Sequence, residues 1–135
     1  INGSCFTDTN GILFASSTEG IIAINITTKK FSLLPAPAAI NSGDIDGLSF
    51  AAGYFIGHQS KILSRFYLSP GRDSIISMDT LSSGKEFDSS TTGEIGNGYY
   101  YFIVNSQIKS GVDYKKQEIK STDSLENIII RKIKL

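Results

Sequence analysis

The sequence has little cysteine, no surplus charge of either sign and no long apolar run, and each shortage excludes a class of protein. Cys5 is the single cysteine, which excludes an intrachain disulfide framework and a multi-cysteine zinc site. Thirteen basic residues balance thirteen acidic ones, so no bulk field attracts nucleic acid or an anionic membrane. No apolar run approaches the ~18 residues of a membrane span. We therefore expect neither nucleic acid nor a membrane span.

Helical patterning is also scarce. Pro35 and Pro37 interrupt the alanine-rich stretch, and the apolar segments are rich in Ile, Phe and Tyr, which favour strands. With 135 residues, 40% of them hydrophobic and 19% charged, the chain suits one globular domain with a core. The sequence therefore predicts an all-β domain.

A polar residue followed by glycine recurs at a nearly constant interval. It appears as Asn2-Gly3, Asp46-Gly47 and Thr92-Gly93. The separations from position 2 to 46 and from 46 to 92 are 44 and 46 residues, close to the ~40–45 of a four-stranded propeller blade. This repeat predicts a β-propeller with about three blades of antiparallel strands.

Each repeat continues into short apolar segments joined by turn residues, and Asn97-Gly98 is a strong two-residue hairpin signal. The predicted blades are residues 1–40, 41–85 and 86–135. The polar stretch 106–126 in the last blade is predicted to be a mobile excursion. A closed barrel or a sandwich of about eleven strands is the alternative architecture.

Propellers contain about four to eight blades, so three repeats predict half of a six-bladed propeller. The remaining blades would come from an N-terminal half outside this chain or from a second copy of it. The chain opens at Ile1 without an initiator methionine. That leaves the location open, with a slight preference for a periplasmic or extracellular protein.

The motifs resemble those of the SMP-30/gluconolactonase/LRE-like family of six-bladed propellers. Asn2-Gly3 resembles the Asn-Gly of its Pro-Asn-Gly motif, and Asp46-Gly47 the Asp-Gly of a Pro-Asp-Gly motif one blade later. Ile1 and Ile45 stand where the family has proline. Residues 87–107 resemble the closing blade of a bacterial branch of the family.

The resemblance implies a metal-dependent hydrolase of a small lactone or ester. Asn2 and Asp46 would be metal ligands, with Ca²⁺ favoured over Zn²⁺ because their side chains offer hard oxygen atoms. Asp46 would also be catalytic, by orienting or deprotonating the attacking water. The glutamate that completes the family's site would lie outside this chain. A turn that needs a polar residue before glycine explains the same motif without a metal.

Four further residues are candidate contacts for a small molecule in the central channel: His58, Asn105, Gln107 and Glu94. His58 is the single histidine, and a hydrogen-bonded structural role is favoured over a substrate contact or proton shuttle. Glu94 follows Thr92, the position that the motif spacing aligns with Asp46. The alternative function is a non-catalytic propeller that binds a ligand or partner protein.

Overall fold

The computed structural model describes residues 1–7 and 11–135, and these ranges contain β-strands, one short 3-10 turn at Thr122–Ser124 and no α-helix. The all-β prediction is therefore confirmed. The strands are β1 Ser4–Phe6, β2 Ile12–Ser16, β3 Ile21–Asn25, β4 Phe31–Leu33, β5 Leu48–Ala51, β6 Tyr54–Gln59, β7 Ile62–Leu68, β8 Ile75–Ser83, β9 Gly93–Gly96, β10 Tyr99–Ile103, β11 Val112–Asp113, β12 Glu118–Ile119 and β13 Ile130–Lys134.

The described strands form small, separate antiparallel sheets. The first sheet has the order β1-β2-β3-β4 and the second has the order β5-β6-β7-β8. The third sheet has three strands in the order β13-β10-β9, and β11 and β12 form a two-stranded hairpin. None of these sheets closes on itself, so the structure does not support the alternative of a single closed barrel.

Tight turns join the first two strands of the second and third sheets. Asn97 and Gly98 both have positive φ, 50° and 76°, and connect β9 to β10. Ala52 and Gly53 do the same between β5 and β6, with φ of 49° and 87°. Two central residues with positive φ match the right-handed twist of the flanking strands. The predicted Asn97-Gly98 hairpin is confirmed.

The three larger sheets are packed face to face in chain order, with an apolar layer between each pair. We call the layer between the first and second sheets the first interface; it contains Phe14, Ile21, Leu34, Ile45, Leu48, Phe55, Phe66, Leu68 and Ile75. The second interface, between the second and third sheets, contains Ala51, Ile56, Leu63, Phe87, Tyr100, Phe102 and Val104. The first strands meet along one side of this stack, because β1 contacts β5 and β5 contacts β9.

Two segments contain structure that the sequence patterns above do not delimit. The fourth strand of the second sheet, β8, runs from Ile75 to Ser83 and has two register irregularities against β7. The polar stretch 106–126 holds the β11–β12 hairpin and the 3-10 turn. Most of its residues are exposed, so an apolar periodicity that would reveal these short elements is missing.

Candidate functional site

Asn2 and Asp46 lie in direct contact, although 44 residues separate them in the chain. The side-chain amide of Asn2 donates a hydrogen bond to Oδ1 of Asp46, and the pair is exposed. Each residue stands just before the first strand of its sheet. The contact therefore bridges the first and second sheets on the side where the first strands meet.

The backbone presents the two residues in the same way. The N–H of Asn2 donates to the Ser16 carbonyl at 3.2 Å, and the N–H of Ser16 donates to the Gly3 carbonyl at 2.8 Å. In the second sheet Asp46 and Gly47 make the equivalent pair of bonds with His58, at 2.8 and 2.9 Å. Asn2 and Asp46 are thus structurally equivalent, as the repeat predicts.

Glycine follows each of them because neighbouring first strands approach closely there. A Cβ at Gly3 would collide with the backbone of Gly47 and Leu48, and a Cβ at Gly47 would collide with the carbonyl oxygen of Thr91. Only glycine lets the strands come this near without a shift of backbone. The glycines therefore set the spacing of the site.

The same contacts identify Thr91 as the residue of the third sheet that is equivalent to Asn2 and Asp46. Gly3 lies against the Asp46 carbonyl, and Gly47 lies against that of Thr91, so Thr91 corresponds to Asp46. The alignment that gave Thr92 is wrong by one residue. Register is fixed instead by the hairpin, where Gly96 pairs with Tyr99 as Ala51 pairs with Tyr54.

Two clefts meet at the Asn2–Asp46 pair. The inner-strand cleft, of about 550 Å³, runs along the first strands and is lined by residues 2–6, 46–50 and 91–95. The mouth cleft, of about 690 Å³, is lined by Ile1, Asn2, Ser16, Ser17, Thr18, Asp44, Ile45, Asp46, Ser60 and Lys109. Both lie in the range of small-molecule sites, about 300–1,000 Å³.

Charge distinguishes the two clefts. The charged residues among the described lining of the inner-strand cleft are Asp46 and Glu94, both acidic. The mouth cleft combines Asp44 and Asp46 with Lys109, whose Nζ donates to Ser60 Oγ at 3.0 Å. An acidic cleft with side-chain oxygens favours a cation or a ligand rich in hydroxyl groups.

The donor set at the pair fits part of a calcium site. Asp46 offers a carboxylate and Asn2 an amide oxygen, which are ligand types that Ca²⁺ takes among its 6–8 oxygens. Within residues 1–7 and 11–135 no three His, Cys, Asp or Glu side chains are grouped so as to hold a metal ion. The described chain alone therefore offers two side-chain ligands and not a full coordination shell.

Glu94 lies in the inner-strand cleft but not in the Asn2–Asp46 contact. It is exposed on β9, and its Oε1 accepts the N–H of Ile95 at 3.1 Å. Glu94 pairs with Tyr101 in the β9–β10 ladder. The structure thus brings three predicted residues to one cleft, with two of them in contact.

His58 lies beneath the site and is fully buried. Its Nδ1 lies 2.8 Å from Ser90 Oγ and its Nε2 lies 2.7 Å from the Tyr100 hydroxyl. Ser90 Oγ donates to the Ile103 carbonyl, so it accepts from His58. His58 is therefore protonated on Nδ1, and Nε2 accepts from Tyr100.

Burial shifts the pKa values of the two ionisable side chains in this network. It lowers the pKa of His58 to about 4 and raises the pKa of Tyr100 to about 12, because both charged forms would lose hydration. The imidazole is neutral at physiological pH. With both ring nitrogens occupied, His58 ties the second sheet to the third.

Asn105 and Gln107 are also buried and hold the returning chain in place. Asn105 donates from Nδ2 to the Asn127 carbonyl at 2.9 Å and accepts the N–H of Ile129 at 2.6 Å. Gln107 donates to the Glu126 carbonyl at 2.8 Å and accepts the same residue's N–H at 2.7 Å. Each side-chain amide donates to one backbone carbonyl and accepts one backbone N–H, as the backbone of a neighbouring strand would. Both side chains lie away from the Asn2–Asp46 pair.

Sequence reasoning missed Thr91, Tyr100 and Lys109. Lys109 comes from the polar stretch 106–126 and reaches the mouth cleft. Cys5 lines the inner-strand cleft, where burial raises its pKa to about 12 and keeps it a thiol. Thr91 would have been found by aligning the repeats on their hairpins, since Gly96 pairs with Tyr99 as Ala51 pairs with Tyr54.

No protein-family model matches the chain, and none of the curated proteins matches it. In the described residues, no helix has the length and apolarity to cross a membrane.

Proposed function

We propose that the three larger sheets are consecutive blades of a propeller, half of a six-bladed one, and that the protein is a metal-dependent hydrolase of a small lactone or ester. The observation that carries this proposal is the contact between Asn2 and Asp46. Equivalent backbone positions of two neighbouring sheets aim oxygen-bearing side chains at one point. This arrangement supports the resemblance to the SMP-30/gluconolactonase family, which remains a prediction.

Asn2 and Asp46 would hold the cation, with Ca²⁺ suiting their oxygen ligands better than Zn²⁺. When bound, the cation would polarise the carbonyl of the substrate as a Lewis acid. Asp46 would orient the attacking water or take its proton. The inner-strand cleft, at about 550 Å³, has room for a small cyclic ester beside the pair.

A non-catalytic propeller that binds a small ligand or a partner protein is the second candidate. The position of His58 favours it, because this imidazole is buried and faces neither cleft. The described lining of the clefts holds carboxylates but no histidine, the usual general acid or base near neutral pH. On this alternative the Asn2–Asp46 pair binds without chemistry.

Titration calorimetry with CaCl₂ tests the proposal. The propeller with its remaining blades present should bind Ca²⁺ stoichiometrically, and Asp46→Asn should abolish binding because it removes the charged ligand at nearly constant size. Asp44→Asn is the matched control, since Asp44 lines the mouth cleft but not the inner-strand cleft. Asparagine also tolerates the φ of 52° at this position.

Binding that is absent, or equal in Asp46→Asn and Asp44→Asn, would contradict the metal site. If Ca²⁺ binds, hydrolysis of a series of small lactones is measured with and without a chelator. Turnover that requires Ca²⁺ and Asp46 supports the hydrolase, whereas Asp46-dependent binding without turnover supports the non-catalytic module.

A further inference from the structure

A chain of side-chain hydrogen bonds leads from the second interface to the inner-strand cleft. It begins at Ser90, passes through His58 and Tyr100, and ends at Ser49, whose Oγ lies 3.2 Å from the Tyr100 hydroxyl oxygen. Ser49 stands on β5, is half-buried and lines the cleft, whereas the other three side chains are fully buried. Ser49 is therefore the end of the chain that a bound molecule can contact.

The direction of each hydrogen bond follows from the buried end of the chain. Ser90 Oγ gives its one proton to the Ile103 carbonyl at 2.8 Å, so His58 Nδ1 carries a proton and donates to Ser90. The neutral imidazole then has no proton on Nε2, which accepts from the Tyr100 hydroxyl at 2.7 Å. Because the one proton of Tyr100 points to His58, the bond between Tyr100 and Ser49 is donated by Ser49.

Ser49 thus turns its only proton away from the cleft. Its Oγ keeps two lone pairs, so toward a bound molecule it accepts hydrogen bonds and cannot donate one without losing its bond to Tyr100. An unconstrained serine hydroxyl rotates to suit either role. The buried partners of Ser49 convert such a hydroxyl into a fixed acceptor.

The third sheet makes room for this chain at Gly93. A Cβ there would lie 2.6 Å from Cζ and 2.7 Å from the hydroxyl oxygen of Tyr100, which is closer than such atoms pack. Any other residue would push the hydroxyl away from Ser49 and His58. Glycine at this position of β9 therefore keeps Tyr100 within reach of both partners.

Ser49 and Glu94 hold equivalent positions on adjacent inner strands. Each stands two residues before the end of its strand, at Ala51 on β5 and at Gly96 on β9, and these two strands are in contact. Both side chains line the inner-strand cleft. The Glu94 carboxylate is also an acceptor, so a ligand satisfies this wall of the cleft by offering donors.

We propose that Ser49 is a specificity-determining residue of the inner-strand cleft, where it accepts a hydrogen bond from an O–H or N–H group of the substrate. The inference rests on the proposed function in taking this cleft as the substrate site. A lactone or ester with a donor facing Ser49 is favoured, and one with an ether oxygen there is rejected because lone pairs then face each other. Tyr100 and His58 are positioning residues, since they hold the proton of Ser49 and line neither cleft.

Nitrogen NMR of the imidazole tests the direction of the chain, in the propeller with its remaining blades present and at neutral pH. His58→Gln assigns the signals by removing them. The ring should be the tautomer with its proton on Nδ1, and a proton on Nε2 instead would reverse the chain and overturn the proposal. The spectrum needs neither cation nor ligand, so its result is independent of the proposed hydrolysis.

Matched probes test the role of Ser49 in the same protein. The α- and β-hydroxy-γ-butyrolactones are compared with their methyl ethers, which keep the oxygen and lose the donor. Affinity is measured as KM where a compound is hydrolysed and by titration calorimetry where it is not. A hydroxy compound should bind about 10-fold more tightly than its ether. Ser49→Ala should remove this preference, whereas Ser77→Ala, on β8 and outside both clefts, should keep it.

Tyr100→Phe separates positioning from a structural role. It releases the proton of Ser49, which can then donate to the ether oxygen, so the preference should disappear through tighter binding of the ether. A structural defect would weaken both compounds alike and overturn the positioning role. Tyr101→Phe, the next residue along β10, is the matched control and should keep the preference.

An amino-substituted probe distinguishes the two donors. If α-amino-γ-butyrolactone binds more tightly than the hydroxy compounds and loses this advantage in Ser49→Ala, the donor is N–H; the reverse order identifies O–H. Equal binding of hydroxy compounds and ethers, or a preference that Ser49→Ala retains, would overturn the proposal even if the lactones are hydrolysed. Binding that depends on Ser49 without turnover would support it and contradict the hydrolase instead.

Discussion

The two interfaces between neighbouring sheets use the same strand pattern but differ in chemistry. The first interface is built around an apolar cluster, with Phe55 packed against Phe14 and Phe50 at ring-centroid distances of 4.9 and 5.8 Å. The second interface buries His58 between Ser90 and Tyr100. A substitution in the apolar cluster loses packing, whereas the second interface can also lose the hydrogen bonds of His58 and gain a proton on its ring.

The two interfaces show that apolar packing between repeated sheets gives stability, whereas a buried hydrogen-bond network selects one arrangement of the sheets. Apolar layers tolerate many arrangements of similar volume. A buried imidazole with two partners accepts one, because any slip leaves a polar atom unpaired. In the described residues no buried side-chain nitrogen or oxygen lacks a hydrogen-bond partner. The network of His58 therefore fixes how the third sheet sits on the second.

Phe55→Ala should have the largest effect on stability. The ring is fully buried in the first interface, and its removal should lower the free energy of unfolding by about 3–5 kcal/mol. Urea denaturation measures the loss, which should be equal at neutral and mildly acidic pH because no titrating group is involved. Ile76→Ala, on an exposed face, should change it by less than about 0.5 kcal/mol. A loss of stability that grows on acidification would contradict the difference between the two interfaces.

Acidification should destabilise the second interface next most strongly. The pKa of His58 falls from an ordinary 6.5 to about 4 on folding, so between these values the unfolded chain binds a proton that the folded chain does not. Stability is full above pH 6.5 and declines as the pH falls toward 4, by on the order of 3 kcal/mol. Denaturation across this range, compared with His58→Gln, isolates the contribution from that of the carboxylates. Parallel pH profiles in the two proteins would contradict the prediction.

Tyr100→Phe should lower the free energy of unfolding by a smaller amount, and it tests the hydrogen bonds of the second interface separately from its protonation. It removes the donor to His58 Nε2 and leaves that nitrogen buried without a partner, at a cost of about 1–3 kcal/mol. Tyr101→Phe is the matched control, since the neighbouring ring is 37% exposed and should lose less than about 0.5 kcal/mol. Thermal denaturation of both variants measures the difference. Equal losses would mean that the network contributes nothing specific.

Much of the fold could be predicted from local patterns. The strands follow from runs of Ile, Phe and Tyr, and the β9–β10 hairpin follows from Asn97-Gly98, because positive φ at both positions selects a tight turn. The repeat also indicated that Asn2 and Asp46 are equivalent. Their contact in the structure agrees with that equivalence, while their role as metal ligands stays a prediction.

The site could be predicted only in part, because its other members depend on distant partners. His58 reads from sequence as a polar residue near a strand end, and its burial depends on Ser90 and Tyr100 of another sheet. Asn105 and Gln107 bind backbone groups of residues 126–129, which no local pattern indicates. Thr91 differs from Thr92 by one position, and hairpin register alone distinguishes them.

The sequence by itself determined the strands, their turns and their repetition, because these depend on side-chain polarity and on the φ that each residue tolerates. Tertiary structure decided which faces are covered and which polar residues are exposed. Phe6 and Phe50 occupy the same place in the repeat, yet only Phe50 is packed against a preceding sheet. Burial is a property of neighbours in space, so identical local patterns become an interface core in one sheet and a bare surface in another.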